Sequence, residues 1–356
     1  TMPPSDVMAD PARGSQPVKV GSVQSLNSGK PSGHTKANNV PIGRRVYSDG
    51  RGKAFRQSWL SWLVSVTTLT VYVAWIPMIF LLIIISFWKP AICIILLGLY
   101  STLFLPATLH SQSFLDGYIL KSWREYFNFS YYIEDKFDPE RRYILAEFPH
   151  GAFPMGPIIA AGAVSECLPS TRIYGLGASV LFWIPGYYHL MSWIGVRPAT
   201  KKNFLRLLDK GWVAVIVGGI AEMFMMSNDQ EHIFLRKRKG IVRIAVQTGT
   251  DIIPIYHFGN TKVLSFGPAW LKNLSRRMRA SIGLMYGVWG LPIPRRHEIM
   301  MVCGKPVSPG PAMPPDHPEF ASAVDRVHGE LVKAMSDIYH QRAREFGWAD
   351  RPLVID

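Results

Sequence analysis

A single histidine, His150, stands where a short apolar run gives way to a tight turn. The run Tyr143–Glu147 has the length and composition of a buried strand. Pro149 ends ladder pairing, and Gly151 lets the backbone turn and a ligand approach it. Sites in α/β sheets usually lie where a strand ends, and imidazole often takes a proton near neutral pH. His150 is therefore a candidate general base, although this pattern alone accompanies a structural role roughly twice as often.

A carboxylate follows a second apolar run. Val213–Val217 has the pattern of a buried strand that ends in Gly218 and Gly219, and Glu222 comes three residues later. If the two strands run parallel, their carboxyl ends share one edge of the sheet, and Glu222 lies near His150. A histidine with a carboxylate partner is a general base whose tautomer and orientation are fixed. The pattern by itself favours a simpler interpretation, in which Glu222 caps a helix.

A basic run precedes a predicted helix and strand. Such a run could hold the phosphates of coenzyme A or of lipid headgroups. The pattern alone slightly favours a solvated basic loop. The run consists of Arg236, Lys237, Arg238 and Lys239.

These residues would be positioned by an alternation of strands and helices, which predicts an α/β fold with a mainly parallel sheet and crossover helices. Apolar spacing predicts a further amphipathic helix within Glu319–Phe346, packed against the sheet or lying on a membrane. No structure is assigned to residues 268–296. The predicted strands are Tyr143–Glu147, Thr171–Leu176, Val213–Val217, Ile252–Ile255 and Met300–Cys303, and the helices include Met155–Ser165, Lys201–Lys210 and Gly240–Gln247.

Two long apolar runs precede this region and predict a membrane-embedded helical hairpin over residues 57–115. Gln57–Trp88 and Ala91–Leu115 contain no Asp, Glu, Lys or Arg, and only Lys89-Pro90 separates them. A spanning helix needs about 20 apolar residues, so a pair of buried soluble helices is the less favoured alternative. Basic residues before the hairpin place the N-terminus in the cytosol, and a hairpin returns residues 116–356 to the same side. A re-entrant loop would give the same arrangement.

The amino-acid composition indicates which class of binding partner to expect. The chain has 356 residues, a formal net charge of +14 and 48% hydrophobic residues. Beside long apolar runs, this charge favours a membrane surface over nucleic acid, for which we find no binding motif. Residues 1–56 are rich in Ser, Gly, Pro and Lys and are predicted to form a disordered basic tail. Cys93, Cys167 and Cys303 lie far apart and predict neither a disulfide framework nor a metal site.

Aromatic side chains are concentrated between Asp116 and Asp138. Their mixture with charged residues is typical of a segment at a membrane interface. An ordinary aromatic-rich packing segment fits the same pattern equally well.

Taken in order, these motifs resemble the type-2 diacylglycerol acyltransferase family, which also includes monoacylglycerol and wax-alcohol acyltransferases. The apolar hairpin is followed by PHG at Pro149–Gly151, GVRPATKKNFLRLL from Gly195, GGxxE at Gly218–Glu222 and RKGIVRIAVQTGTDIIPIYHFGN from Arg238. PHG alone is a weak signal, but the order and spacing of the set are specific. The family belongs to a wider group of glycerolipid acyltransferases with an HxxxxD motif, so the resemblance implies a glycerolipid-acyltransferase-like fold.

The chain departs from these patterns at positions that bear on mechanism. Phe148 stands where the family usually has His or Glu. The aspartate of the wider group would fall at Met155, which leaves Glu222 as the most plausible partner of His150, with Glu147 behind it. The GGIAE region lacks the arginine that holds an acceptor phosphate in the wider group, and this absence fits a neutral acceptor.

The resemblance implies an integral membrane O-acyltransferase that moves a fatty acyl group from acyl-CoA to diacylglycerol and forms triacylglycerol. His150 would be the general base and Glu222 its partner, with acyl-CoA as co-substrate and no cofactor or metal. The expected location is the endoplasmic reticulum membrane, with the N-terminus and the catalytic domain facing the cytosol. Association with lipid droplets and homo-oligomerisation are left open. The residues expected to bind substrate are Pro149, Gly151, Gly218, Gly219, Arg236, Lys237, Arg238 and Lys239.

Three alternatives are retained. The same chemistry on monoacylglycerol or a long-chain alcohol changes only the acceptor. A non-catalytic lipid-binding or lipid-droplet scaffold would be a decayed acyltransferase, and the retention of PHG and GGxxE speaks against it. A lipase is disfavoured because the sequence has no GxSxG serine elbow.

Overall fold

An eight-stranded sheet forms the centre of the computed structural model, which describes residues 41–168, 171–271 and 283–356. Its strands are β1 (Val46–Tyr47), β2 (Ser130–Ile133), β3 (Tyr143–Phe148), β4 (Ile173–Gly177), β5 (Val196–Pro198), β6 (Trp212–Ile216), β8 (Asp251–Phe258) and β11 (Met300–Cys303), in the order β1-β2-β11-β8-β3-β6-β4-β5. Two further pairs lie outside it: β7 (Glu231–Ile233) with β12 (Leu353–Ile355), and β9 (Ser265–Gly267) with β10 (Leu284–Tyr286).

Most strand pairs of the large sheet are parallel, which confirms the predicted mainly parallel α/β sheet. β3 pairs in parallel with β8 and β6, and β4 pairs in parallel with β6 and β5. The β8–β11 and β1–β2 pairs are antiparallel. Every residue of β3 and β8 is buried, as expected for central strands with both faces covered. The carboxyl ends of β3, β6 and β4 therefore meet at one edge of the sheet.

Helices cover both faces of the sheet. The long C-terminal helix, predicted within Glu319–Phe346, runs from Phe320 to Ala343 and packs its apolar side on the sheet. The helices are α1 (Trp59–Ser86), α2 (Ile92–Ser101), α3 (Gln112–Leu115), α4 (Tyr118–Tyr126), α5 (Met155–Ala161), α6 (Val164–Cys167), α7 (Tyr187–Ile194), α8 (Lys201–Leu208), α9 (Ile220–Met223), α10 (Gly240–Thr248), α11 (Asn260–Val263) and α12 (Phe320–Ala343), with 3-10 turns at Ser48–Gly50, Thr102–Phe104, Ser179–Trp183, Ala269–Leu271 and Val288–Gly290.

The apolar N-terminal region contains one long helix and one short helix, not two long ones. α1 has 28 residues and is long and apolar enough to cross a membrane. α2 has 10 residues. Ten residues extend about 15 Å, about half the thickness of a bilayer hydrocarbon core. The prediction of a hairpin over residues 57–115 therefore needs correction in its second arm, which is too short to span as a helix.

α1 also packs on the rest of the protein. Ser61 and Ser65 of α1 are buried, and Ser65 Oγ donates to the carbonyl oxygen of Ser122 in α4 at 2.8 Å. The Trp123 indole N–H donates to Thr68 Oγ1 at 2.7 Å. Small side chains on α1 allow this close approach. All described residues belong to one compact unit.

The described part of the predicted disordered tail is ordered. Residues 1–40 of the predicted tail lie outside the described residues. The rest of the predicted tail, 41–56, contains strand β1, which pairs with β2 of the large sheet. Asp49 forms a buried ion pair with Arg124 of α4 at 2.7 Å. The prediction failed here because composition does not show that a short segment can add a strand to an existing sheet. The aromatic segment after residue 116 is packed inside the protein, since Trp123, Phe127 and Phe129 are buried.

Candidate active site

His150 lies directly after β3, in a turn that Asn260 holds. The Nδ2 group of Asn260 donates to the carbonyl oxygens of Pro149 (3.1 Å) and His150 (3.0 Å), and its Oδ1 accepts from the N–H of Gly156 (2.9 Å). Gly151 has a φ of 62°, and a Cβ atom there would lie 2.9 Å from Nδ2 of Asn260. Both the backbone and the close approach of Asn260 therefore require glycine at position 151.

The imidazole of His150 has one nitrogen fixed and one available. Nδ1 lies 2.9 Å from the carbonyl oxygen of Gly151 and, because a carbonyl only accepts, Nδ1 carries the proton. Nε2 is then the unprotonated nitrogen of the neutral ring. Burial lowers the pKa of His150 from its ordinary value of 6.5, against the opposing effect of the Gly151 carbonyl. A neutral imidazole with a free Nε2 is the form that a general base requires.

Glu222 lies beside His150, as the parallel strands predict, but it contacts the backbone of this turn. Its Oε2 accepts from the N–H of His150 at 2.5 Å, and its Oε1 accepts from the N–H of Phe234 at 2.7 Å. The expected contact with the imidazole is replaced by the Gly151 carbonyl. The carboxyl group is buried, and burial raises the pKa of Glu222 to about 7, against the opposing effect of the two N–H donors.

The geometry explains the GGxxE spacing. The carboxylate of Glu222 folds back onto the backbone of Gly218, where any Cβ would overlap it. Gly219 has a φ of 58° and a ψ of −149°, a conformation essentially restricted to glycine. The two glycines thus allow α9 to start abruptly and to point Glu222 at the turn after β3. Gly219 also lines the cavity beside His150.

A cavity of about 1250 Å³ opens beside His150. Most of its lining is apolar and comes from the carboxyl ends of the strands, from α5 and α7, and from α1. Several apolar side chains in the lining are more than half exposed and mark the mouth of the cavity: Phe80, Leu81, Ile84, Val180 and Leu284. The volume and chemistry of this cavity suit long hydrocarbon chains.

Glu147, the second predicted partner of His150, also lines the cavity. It is buried, and its Oε2 lies 3.4 Å from Nε2 of the fully buried His257. The two atoms are within ion-pair distance but do not form a hydrogen bond, and neither has another partner in the described part of the chain. Glu147 therefore places a carboxylate in the wall of an otherwise apolar cavity.

The basic run lies at the surface, outside the cavity lining. The N–H and the guanidinium Nε of Arg236 donate to carbonyl oxygens of Asp356 and Ile355, each at 2.7 Å. Lys239 forms an ion pair with Asp325 at 2.6 Å, and the guanidinium of Arg238 lies 5.1 Å from the ring centroid of Phe234. Three of the four predicted phosphate-binding residues thus already contact other groups of the protein.

Sequence patterns missed two groups that shape this site. Asn260 lies 110 residues from His150, and only its place at the end of the FGN stretch drew attention to it. The carbonyl oxygen of Gly151 carries no sequence signal at all, because every residue has one.

Fold and site together define an α/β enzyme with a candidate base at the end of its central strand, beside a cavity for apolar chains. The sequence matches the family model described as diacylglycerol acyltransferase over residues 85–356. That match covers most of the chain, so the chain belongs to the diacylglycerol acyltransferase family and is an acyltransferase.

Curated relatives agree with this assignment. The chain is 27% identical over 242 residues to diacylglycerol O-acyltransferase 2 of Dictyostelium discoideum, with 61% of this chain and 71% of the relative covered. It is 27% identical over 258 residues to diacylglycerol O-acyltransferase 2-like protein 6 of Bos taurus, with 65% and 75% covered. Among solved structures, the 1-acyl-sn-glycerophosphate acyltransferase PlsC of Thermotoga maritima matches with a TM-score of 0.38 and 13% identity, over 76% of this chain and 96% of that one. That likeness is too distant to support an argument.

Proposed function

We propose that the protein is an integral membrane O-acyltransferase that moves a fatty acyl group from acyl-CoA to diacylglycerol and forms triacylglycerol. The observation that carries this proposal is the fixed, neutral His150 in the wall of a large apolar cavity, in a chain of this family. Both the acyl chain of the donor and the acceptor are apolar, and the cavity has room for such chains.

In the proposed reaction, Nε2 of His150 takes the proton of the acceptor hydroxyl as its oxygen attacks the thioester carbonyl. The tetrahedral intermediate then expels the CoA thiolate, which receives the proton from His150. Backbone N–H groups near Gly151 are the candidates for holding the oxyanion. No covalent acyl-enzyme is needed, because the thioester is already activated.

Glu222 acts in this scheme as a positioning residue. Its carboxylate holds the His150 N–H, and therefore the turn, while the Gly151 carbonyl orients the ring. Pro149, Gly151, Gly218 and Gly219 shape this turn and its neighbour, which is the support for their proposed place at the substrate. The basic run from Arg236 to Lys239 would contribute positive charge near bound CoA.

The proposed membrane contact is centred on the mouth of the cavity. α1 is long enough to span, and the exposed apolar residues at the mouth would face lipid rather than water. Trp183 and Trp289 lie near these residues in the chain and are 74% and 88% exposed. Exposed tryptophans are typical of a membrane interface. Diacylglycerol could then enter from the bilayer, with the endoplasmic reticulum and the cytosolic face as the proposed setting.

Acyl transfer from labelled acyl-CoA to diacylglycerol, measured in membranes at matched expression, tests the proposal. We expect wild type to form triacylglycerol and His150→Ala to lose about a hundredfold or more in rate, as for removal of a general base. The control is His340→Ala, which removes an exposed imidazole from α12. Near-normal rates for His150→Ala would contradict the mechanism, and a wild type inactive with every alcohol would favour the scaffold.

Glu147 makes monoacylglycerol a specific second candidate for the acceptor. A carboxylate in the cavity wall can accept a hydrogen bond from a second hydroxyl group, which monoacylglycerol has and diacylglycerol lacks. Competition between the two acceptors decides between them. If monoacylglycerol is preferred and Glu147→Met, which removes both acceptor oxygens, reverses the preference, the second candidate replaces the first.

A further inference from the structure

A second pocket, of about 400 Å³, adjoins the apolar cavity at the same edge of the sheet. We propose that it binds the phosphorylated nucleotide end of acyl-CoA, an inference that rests on the proposed function. The two spaces share Leu176 of β4, Ala199 and Val215 of β6 as lining residues. Leu176 and Val215 belong to the core on the α8 and α10 side of the sheet, whereas most of the cavity lining belongs to the other core. A donor that passes over the carboxyl ends of β4 and β6 would therefore have its acyl chain in the cavity and its anionic end in the pocket.

The pocket is basic where the cavity is apolar. Lys201 and Arg243 line it, and no aspartate or glutamate is among its described lining residues. Gln247 adds an uncharged polar side chain. Lys201 and Arg243 come from different helices, α8 and α10, so the fold brings together two cations that are 42 positions apart in the sequence.

The main chain adds to this charge. Both α8 and α10 start beside the pocket, since Lys201 and Gly240 are their first residues and both line it. The N-terminal N–H groups of a helix favour an anion. Gly240 directly follows the run that ends at Lys239, so the predicted phosphate-binding run leads into the lining of the pocket.

The chemistry of coenzyme A fits this division. Its nucleotide end carries a diphosphate and a 3′-phosphate, whereas the pantetheine arm is uncharged. Arginine and lysine are the side chains that bind phosphate oxygens. A phospholipid headgroup offers the same phosphate chemistry, so the experiment must separate the two sources.

The test uses two acyl donors with the full-length protein in vesicles. One donor is oleoyl-CoA and the other is S-oleoyl-pantetheine, which lacks the nucleotide and all phosphates. The variant is Lys201→Ala/Arg243→Ala. The matched control is Lys333→Ala/Arg344→Ala, which removes the same two charge types from exposed positions on and just after α12. Along the helix, those positions lie about 20 and 36 Å from Phe320, the α12 residue that lines the pocket.

We expect the pocket variant to raise KM for oleoyl-CoA about tenfold or more, the usual scale for losing a charge-assisted contact. Its kcat/KM with S-oleoyl-pantetheine and its KM for the acceptor should match wild type. An unchanged KM for oleoyl-CoA, or an equal loss with both donors, would overturn the assignment. A loss that appears only in vesicles with anionic phospholipid would assign the pocket to lipid headgroups instead.

A direct binding measurement separates this inference from the proposed function. Titration of the purified protein in uncharged detergent with CoA, and with pantetheine as comparison, requires no turnover. We expect wild type to bind CoA at least about tenfold more tightly than the pocket variant does. Wild type that binds CoA but transfers no acyl group would refute the function and leave the pocket assignment standing, whereas equal binding by both would refute the pocket.

Discussion

The carboxylate of Glu222 accepts a hydrogen bond from the backbone N–H of His150, not from its imidazole. The ring is oriented instead by the carbonyl oxygen of Gly151. A neutral carbonyl fixes the tautomer as a carboxylate would, but it stabilises the charged imidazolium less. The site therefore separates two tasks that one carboxylate performs in a Ser-His-Asp arrangement: Glu222 holds the turn, and the Gly151 carbonyl orients the imidazole.

This separation predicts the pH profile of a Glu222 variant. In Glu222→Gln the amide group presents a donor to one of the two backbone N–H groups, so the turn should shift and kcat should fall at least about tenfold. The acid limb of log(kcat/KM) in wild type should contain a step near pH 7 from Glu222 and a step below pH 6.5 from His150. The variant should lose the Glu222 step and keep the His150 step unchanged.

The control for that experiment is Glu330→Gln, which changes an exposed carboxylate on α12 that pairs with Arg326. If Glu222 were the imidazole partner, loss of its negative charge would lower the pKa of His150 further. A His150 step that moves to lower pH in Glu222→Gln would therefore contradict the geometry described above.

Stability should depend on pH through the same carboxyl group. Burial raises the pKa of Glu222 to about 7 from 4.5, so its protonated form favours the folded state. This group contributes about 3 kcal/mol to the free energy of unfolding below pH 4.5. The contribution is lost as the pH rises through about 7. Thermal unfolding in detergent between pH 5 and 8 should show this decline in wild type. Glu222→Gln should show a flatter dependence, and equal slopes would exclude Glu222 as the source.

Two glycines allow a matched test of the GGxxE spacing. Gly218→Ala would place a methyl group on the Glu222 carboxylate, so we expect loss of activity and of stability. Gly329 lies in the middle of α12, and a methyl group added there meets no atom within 4 Å. Gly329→Ala should therefore stabilise the protein by about 0.5–1 kcal/mol. The double variant Gly218→Ala/Glu222→Ala removes the overlap and should be more stable than Gly218→Ala. If it is not, steric conflict is not the reason for the glycine.

Asn260 should matter for turnover although it is buried away from the reacting atoms. Asn260→Ala leaves two carbonyl oxygens and the Gly156 N–H without this partner, and we expect a stability loss of about 2 kcal/mol or more. Because the turn carries His150, kcat should fall while KM for acyl-CoA stays unchanged. Gln341→Ala, an exposed amide on α12, is the control. A rise in KM with normal kcat would assign Asn260 to substrate binding instead.

The sequence predicted the elements of this site better than its contacts. The runs that became β3, β6 and β8 are continuously apolar, and such runs between helices specify a parallel sheet. Sheet topology then required His150 and Glu222 to share an edge. Which atoms of the two residues meet depends on the turn after each strand, and this turn is set by Asn260 through a long-range contact. The spacing of apolar residues in the sequence does not reveal such long-range contacts.

The apolar N-terminal region shows another limit of sequence patterns. Hydropathy gave two long runs, but the helical stretch of the second run ends at Phe104, and composition alone did not mark this end. The pocket beside Lys201 and Arg243 was missed for a related reason, since its walls come from separate helices.

The residues of α1 from Ile76 to Ile84 form one side of the cavity beside His150. A truncated protein that starts after the apolar region would therefore lack one wall of this cavity. Water would enter the space that the proposed function assigns to the acyl chains. The one helix among the described residues that is long enough to cross a bilayer is therefore also a wall of the cavity, so its removal would change the site itself.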